Sequence, residues 1–293
     1  MDVSAELAKA RDADRIARLG LAGEAAEVAA LLDRAAEDAD LLAEVADAAR
    51  DLAGRVGEFR DHGTFDPCRG EEVAVLALLA TVDAVRAEHR ARGVPDDVSW
   101  ATLADLGQQV AVHRATFGGF GLHTRDWLRV AWSGGLYWLG RLQFELLDRG
   151  GEWYLSVHIP ETGPLGPDVV DASLARARAF FATHFDDHRP AGFHCASWLL
   201  DPRLTEVLAE SSNMARFQRR WRLEPGGRAA NGEAIFFVFR RRDGPDPATL
   251  PRDTSLQRAI ADHIADGGHW YVRDGTIELD PGDDADQPAK GDR

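Results

Sequence analysis

The chain has 293 residues and a formal net charge of −15, with 45% hydrophobic and 28% charged residues. That length is comfortable for two domains, and the balance is that of a globular protein with a sizeable core. The acidic excess argues against general nucleic-acid binding, which needs basic surface to displace counterions from phosphates.

From about Ser4 to Ala115 the sequence reads as helical. Alanine, leucine, glutamate and arginine dominate there, and all favour helix. Leu31, Leu32, Ala35, Ala36, Leu42, Val45, Ala49 and Leu52 approximate a 3.6-residue period, which predicts one apolar face. Gly20, Gly23, the Gly54–Gly70 region and Gly93-Val94-Pro95 are expected breaks, and Ser99 is placed to cap a helix starting at Trp100. Met1 to Arg18 has no apolar stretch of signal-peptide type, and no run approaches the length that spans a bilayer. Cys68 and Cys195 show neither CxxC nor zinc spacing, so a reduced, cytoplasmic setting is expected.

The pattern changes at Phe117-Gly118-Gly119-Phe120-Gly121. A short helix over Asp126–Ala131 is predicted next, then strands at Tyr137–Leu146, Trp153–Ile159 and Gly192–Cys195. Two further strands are expected at Phe217–Leu223 and Ala234–Arg240. Gly166-Pro167-Asp168 predicts the start of a helix reaching about Phe185, since proline fits the first helical position and aspartate suits the positive dipole end. Asp201-Pro202 starts a short helix ending near Ala209. Thr254-Ser255-Leu256-Gln257 matches a capping box, and Gly267-Gly268 ends that helix. Trp270-Tyr271-Val272 and Ile277-Glu278-Leu279 flank Arg273-Asp274-Gly275-Thr276, which predicts a hairpin. From Pro281 the chain is polar, acidic and poor in apolar residues, which predicts a disordered tail. The expected fold class is therefore α+β: a helical domain over 1–116, a mixed αβ domain over 117–280 and a tail over 281–293.

Several residues on or beside the strands are candidates for chemistry. A strand feeding a loop that opens a helix offers free N–H groups and a dipole to an anion. Ile159, Thr162, Gly163 and Gly166 occupy that position, although Pro160, Pro164 and Pro167 remove donors and no Walker lysine is present. His158 alternates against Leu155 and Val157 and is a candidate general base, with Glu145 as the other candidate proton acceptor. A hydrogen-bonded structural histidine and a solvated strand-end carboxylate are the plain alternatives for these two. His194 and Cys195 adjoin on one strand and so point to opposite faces, which makes a poor Cys–His dyad. No tight histidine spacing suggests a metal site, and none is expected. Arg216, Arg219, Arg220, Arg222, Arg228 and Arg240-Arg241-Arg242 form a basic concentration able to counter cofactor phosphates, or else a solvated strand face.

Taken together, these residues resemble the bacterial acyltransferases that join an N-acyltransferase-type helical N-terminal domain to a GNAT-like C-terminal domain. The resemblance runs through Thr102-Leu103-Ala104-Asp105-Leu106-Gly107, Gly140-Arg141-Leu142-Gln143-Phe144-Glu145, His158-Ile159-Pro160, Leu165 and Asp171-Ala172-Ser173-Leu174. It continues through Cys195, Ser197-Trp198-Leu199-Leu200-Asp201-Pro202, Ser212-Asn213 and Phe217-Gln218, and the run from Ser197 to Pro202 is its most specific element. It implies a GNAT-like mixed sheet, flanked by helices, with two central strands splayed apart. It implies acyl-CoA as co-substrate, held in the split with its pyrophosphate at the loop Glu161–Gly166, and direct attack by an amine of a small-molecule acceptor. On that reading Trp153–Ile159 and Gly192–Cys195 are the splayed strands. Backbone amides near His158 and Ile159 polarise the thioester, Glu145 or His158 takes the amine proton, and Arg216, Arg219 and Arg220 assist the phosphates. His194, Ser197, Trp198, Asn213 and Gln218 line the substrate cleft. Pro160-Glu161-Thr162-Gly163-Pro164-Leu165 keeps only the middle glycine of the usual phosphate loop. Two other readings remain open from the residues: a GNAT-like binding module without turnover, and hydrolysis dependent on a metal or on Cys195.

Overall fold

A computed structural model of the protein describes residues 1–60, 63–67 and 70–279. Cys68 and the expected tail over 281–293 lie outside the described residues.

The first half is helical, as its composition predicts. Helices α1 (Val3–Lys9) and α2 (Ala13–Arg18) start at Asp2 and Asp12, whose carboxylates accept from Ala5 N and Asp14 N. In α3 (Ala25–Glu37) and α4 (Ala39–Gly54) the periodic Leu31, Leu32, Ala35, Val45, Ala49 and Leu52 are buried. They pack with α5 (Glu71–Ala91), which is buried without a break from Val73 to Val82 and forms the centre of this core. Three further helices follow: α6 (Asp96–Leu103), α7 (Asp105–Phe117) and α8 (Arg125–Trp132). Ser99 is not a cap. It lies inside α6, buried, with Oγ 2.8 Å from His89 Nδ1. The helix begins instead after Pro95, with Asp96 and Asp97 at its positive end.

Gly107 explains how α7 is placed. Its N–H donates to Leu19 O at 3.0 Å. A Cβ there would sit 2.1 Å from Gly20 O, so the two backbones touch and only glycine fits. That contact lies one helical half-turn from Asp105, whose partners are described below.

The sheet is built from β1 (Leu136–Leu139), β2 (Leu142–Asp148), β3 (Trp153–His158), β4 (Pro190–Ser197), β5 (Arg222–Leu223), β6 (Arg228–Ala229) and β7 (Tyr271–Glu278). Its order is β1-β2-β3-β4-β7-β5, with β6 also pairing β7. Only β3 and β4 run parallel, and α9 (Pro167–His184) supplies the crossover that a parallel pair requires. The expected single strand from Tyr137 to Leu146 is a hairpin. Gly140, at φ +83°, turns the chain against α9, where a Cβ would meet Ser173 Oγ at 2.7 Å. That hydroxyl accepts from Arg141 N at 2.7 Å and donates to Leu139 O at 2.7 Å.

Three other expectations are corrected after β4. The segment Phe217–Leu223 is mostly the helix α11 (Asn213–Gln218), which follows α10 (Arg203–Val207), and only Arg222–Leu223 is strand. Ala234–Arg240 is not a strand but most of α12 (Asn231–Phe239). An unbroken apolar run carries no periodicity that separates helix from strand. The hairpin expected at Arg273–Thr276 does not form, because β7 runs straight through. It pairs with β4 from Gly192↔Glu278 to Ser197↔Arg273 on one side and with β5 and β6 on the other. The capping box at Thr254 does start α13 (Ser255–Ala265).

One face of the sheet presents Phe144, Leu155, Val157, Phe193 and Cys195 to Val170 and Phe181 of α9, which makes the second core. The other face is polar along its centre and turns toward α7 and α8.

Candidate active site

Pairing between β3 and β4 stops at Ser156↔His194, although β3 continues to His158 and β4 to Ser197. Beyond that row β3 stays with β2 (Gln143↔His158) while β4 stays with β7 (Ala196↔Asp274). The two central strands therefore part, and a cavity of about 880 Å³ opens at the split. Val157, His158 and Ile159 line one wall, and Ala196, Ser197, Trp198 and Leu199 line the other. Gln108, Gln109 and Trp127 approach from the helical half, and Phe236, Phe237, Val238 and Leu256 approach from α12 and α13.

His158 and Glu145 meet inside this cavity wall. On the antiparallel β2–β3 pair His158 lies opposite Gln143 and Glu145 opposite Ser156, so all four share one face. The diagonal neighbours are close enough for long side chains to touch. His158 Nε2 is 2.8 Å from Glu145 Oε2, and the two side chains are 29% and 12% exposed. Trp127 of α8 meets the His158 ring edge-on, with centroids 4.6 Å apart. Its indole N–H donates to Asp105 Oδ2 at 2.7 Å, and Gln109 Nε2 donates to Asp105 Oδ1 at 3.1 Å. Asp105 is fully buried, and burial pushes its carboxyl up from the ordinary range despite those donors.

The loop after β3 is held from below by Arg141. Its guanidinium donates to Pro160 O at 2.7 Å, to Gly163 O at 2.6 Å and to Pro164 O at 3.2 Å. Burial draws the Arg141 pKa down, so carbonyl contacts replace lost water. Glu161 of the loop forms an ion pair with Arg240, which caps α12 in the left-handed region at φ 55°. Arg242 stacks on Phe236 with its guanidinium carbon 3.9 Å from the ring centre. Arg141, Arg240 and Arg242 all line the cavity.

Two sequence families cover nearly the whole chain. Residues 11–134 match the N-acyltransferase N-terminal domain, and residues 136–277 match the GNAT-like C-terminal domain. The fold is also that of an acyltransferase crystallised with decanoyl-CoA, at 35% identity and a TM-score of 0.83 over 91% of this chain and 87% of that one. The chain belongs to this acyltransferase family. A second similar structure, at 34% identity and a TM-score of 0.83 over the same shares of the two chains, is an acyltransferase in complex with CoA and 10C-teicoplanin. A third, again at 34% identity, holds decanoyl-CoA and teicoplanin. No curated protein sequence matches the chain.

In this acyltransferase His158, Ile159, Gly163, Ser197, Trp198 and Asn213 line the cavity, and Glu145 stands behind His158. Glu145 is mid-strand rather than at a solvated strand end. Other expected residues fall elsewhere. Thr162 and Gly166 belong to the loop but do not line the cavity. Gln218 is a structural residue, donating from Nε2 to Leu199 O and to Asp201 O at 2.6 Å in the second case. His194 is buried outside the lining, 2.8 Å from Asp274 Oδ1. Arg216 is exposed on α11, and Arg219 donates to Glu210 O. Arg220 pairs with Asp171 and also reaches Pro167 O at the start of α9. None of these three lines the cavity, and the arginines that do are Arg141, Arg228, Arg240 and Arg242. Cys195 is buried on the opposite face, where burial pushes its thiol pKa up, so it has the character of a core residue. Among the described residues no cluster of three or more metal-ligating side chains occurs, and no helix is long and apolar enough to cross a membrane. Asp105, Trp127, Arg141 and Gln143 are not marked as site residues by the sequence analysis. Only the residue strings shared with the family, Thr102–Gly107 and Gly140–Glu145, carried a signal for three of them, and nothing local marked Trp127.

Proposed function

We propose that the enzyme's acyl-CoA-dependent N-acyl transfer takes place in the split between β3 and β4. The observation that carries this reading is the end of β3–β4 pairing at Ser156↔His194, where the cavity begins. Past that row, the backbone of Val157–Ile159 is released from β4 and faces the cavity. An amide near His158 or Ile159 there is a fixed donor for the thioester oxygen as charge develops on it. His158, braced by Glu145 and Trp127, takes a proton from the attacking amine.

The loop Pro160–Leu165 serves the pyrophosphate. Arg141 occupies its carbonyls; Thr162 N–H donates to Pro160 O at 3.0 Å and the two prolines have no N–H, so Glu161, Gly163 and Leu165 are the amides to offer an anion, and Arg240 and Arg242 add positive charge. Phe236, Phe237, Val238 and Leu256 give an apolar wall suited to an acyl chain of medium length, in keeping with the decanoyl-CoA held by a similar structure. The acceptor is an amine-bearing small molecule. The teicoplanin compounds bound by two similar structures make amine-bearing glycopeptides the first class to try. Gln108 and Gln109 from α7 and Trp127 from α8 form the acceptor side, so the helical half completes the cleft.

Calorimetric titration with decanoyl-CoA, acetyl-CoA and free CoA tests the first half of this reading. Saturable binding, with decanoyl-CoA tighter than acetyl-CoA, is expected. No heat with any of the three would return the protein to a binding module of another kind. Thiol release from decanoyl-CoA on adding an amine-bearing glycopeptide tests the second half.

A further inference from the structure

Asp105 is the buried group to which the mechanism gives no task. It is 0% exposed and does not line the cavity, yet the residues around its carboxylate come from three elements and all line it. Gln109, one turn further along α7, donates from Nε2 to Oδ1 at 3.1 Å, and the Trp127 indole of α8 donates to Oδ2 at 2.7 Å. Gln143 of β2 turns its buried Nε2 toward the same carboxylate, near enough to draw its pKa down but out of line for a full hydrogen bond. A buried carboxylate is costly, and an apolar residue would fill the space more cheaply.

What the carboxylate does to its partners supplies the reason. A primary amide has a donor end and an acceptor end. With N–H donors on both of its oxygens, Asp105 acts as an acceptor, so each glutamine offers it the NH2 end. The carbonyl oxygen is then the end left for the cavity that Gln109 and Gln143 line. Gln143 stands directly opposite His158 on the β2–β3 pair. Residues so opposed share a face, with Cβ atoms roughly 4.5–5.5 Å apart. Trp127, fixed by the same carboxylate, meets the His158 ring with centroids 4.6 Å apart. One buried group thus orients three side chains of the cavity wall around His158.

We propose that Asp105 is a positioning residue that builds an amine subsite: it turns Gln109 and Gln143 so that their carbonyl oxygens receive the N–H groups of the acceptor nitrogen beside His158. The proposal rests on the acyl-transfer reading above for the class of ligand. A primary ammonium brings three N–H donors, enough for the two amide oxygens and the His158 ring. A hydroxyl brings one. The subsite therefore selects a primary amine over an alcohol of the same shape, because the alcohol leaves amide oxygens unpaired in a buried wall. It makes no demand on the CoA end of the cleft, where Arg240 and Arg242 lie.

The test is calorimetric titration of the full chain, in the presence of free CoA so that no turnover occurs. The probes are a glycopeptide with one primary amine and the same glycopeptide with a hydroxyl in its place. The wild type is expected to bind the amine at least about tenfold more tightly. Asp105→Asn replaces one accepting oxygen by an NH2. The Trp127 indole can only donate and keeps the remaining oxygen, so the NH2 falls at Gln109, whose amide must reverse and point its own NH2 into the cavity. Amine affinity should fall roughly tenfold, with CoA and the hydroxyl analogue within about twofold. Adding Gln109→Glu to Asp105→Asn exchanges donor and acceptor, returns an oxygen to the cavity and should restore the preference. If Asp105→Asn does not fold, Gln143→Met decides, since it leaves both hydrogen bonds of Asp105 in place and should also lose the preference. Equal or no binding of the two probes by the wild type, or a preference that survives both Asp105→Asn and Gln143→Met, overturns the subsite. A wild type that prefers the amine but releases no thiol from decanoyl-CoA overturns the acyl-transfer reading and upholds the amine subsite.

Discussion

His158 Nε2 lies 2.8 Å from Glu145 Oε2 across two adjacent strands, in register with neither of its direct partners. The two are diagonal neighbours on the β2–β3 pair, and His158 is two residues beyond the last row that β3 shares with β4, so its ring borders the cavity. The carboxylate behind it is nearly enclosed. Removing the ring in His158→Ala is expected to lower kcat by about 10²–10⁴-fold with little change in acyl-CoA affinity. Glu145→Gln keeps the shape and should cost less. Steady-state kinetics checks both, and transfer at wild-type rate in both variants would remove this pair from the mechanism.

Arg240 and Arg242 lead to a different expectation from Arg219. Charge reversal in Arg242→Glu should weaken CoA binding at least tenfold and should weaken the CoA fragment lacking phosphates far less. Arg219→Glu should leave affinity within about twofold, because that side chain is spent on Glu210 O at the surface. Glu161→Gln frees Arg240 from its ion pair and should tighten CoA binding. Calorimetry of the three variants decides, and an effect at Arg219 larger than at Arg242 would contradict the assignment.

Asp105 is predicted to make stability depend on pH in an unusual sense. Its folded pKa is raised above the ordinary 3.8, so the folded state holds the proton more tightly than the unfolded one. The contribution is fully present below pH 3.8 and is lost as pH rises through the folded pKa. Asp105→Asn should flatten that part of the profile in denaturant titrations. Asp105→Ala leaves the Trp127 N–H and Gln109 without an acceptor and should cost about 1–3 kcal/mol. An unchanged slope in Asp105→Asn would mean the carboxyl is not perturbed.

Gly107→Ala places a methyl 2.1 Å from Gly20 O, a backbone atom that cannot rotate aside. A loss of about 1–3 kcal/mol or more is expected from the forced shift of α7. Because α7 also carries Gln108, Gln109 and Asp105, the acceptor KM should rise as well. A wild-type melting temperature would show that α7 is not seated on this contact.

Cys195→Ala should leave transfer intact. The thiol lies on the α9 side of the sheet, and burial holds it protonated. Only a small cavity cost, below about 1.5 kcal/mol, is expected in melting experiments. A kcat that falls with this substitution would revive the cysteine-dependent reading.

Local sequence determined those parts of the protein whose signals are local. Alanine-rich periodicity specified the helical half, Gly166-Pro167-Asp168 specified the start of α9, and Thr254 with Gln257 specified the capping box of α13. Residue strings such as Ser197–Pro202 were enough to indicate the family. Tertiary structure alone decided the rest. The run Ala234–Phe239 is equally apolar as strand or helix, and packing against the rest of the sheet domain made it helix. Gly275 reads as a turn in isolation, but pairing on both sides of β7 extends the chain through it. Which arginines reach the cavity, and whether Glu145 meets His158, depend on strand register and helix phase. Those are set by contacts between residues far apart in the chain, such as Gly20 with Gly107 or Gly140 with Ser173, which no local pattern encodes.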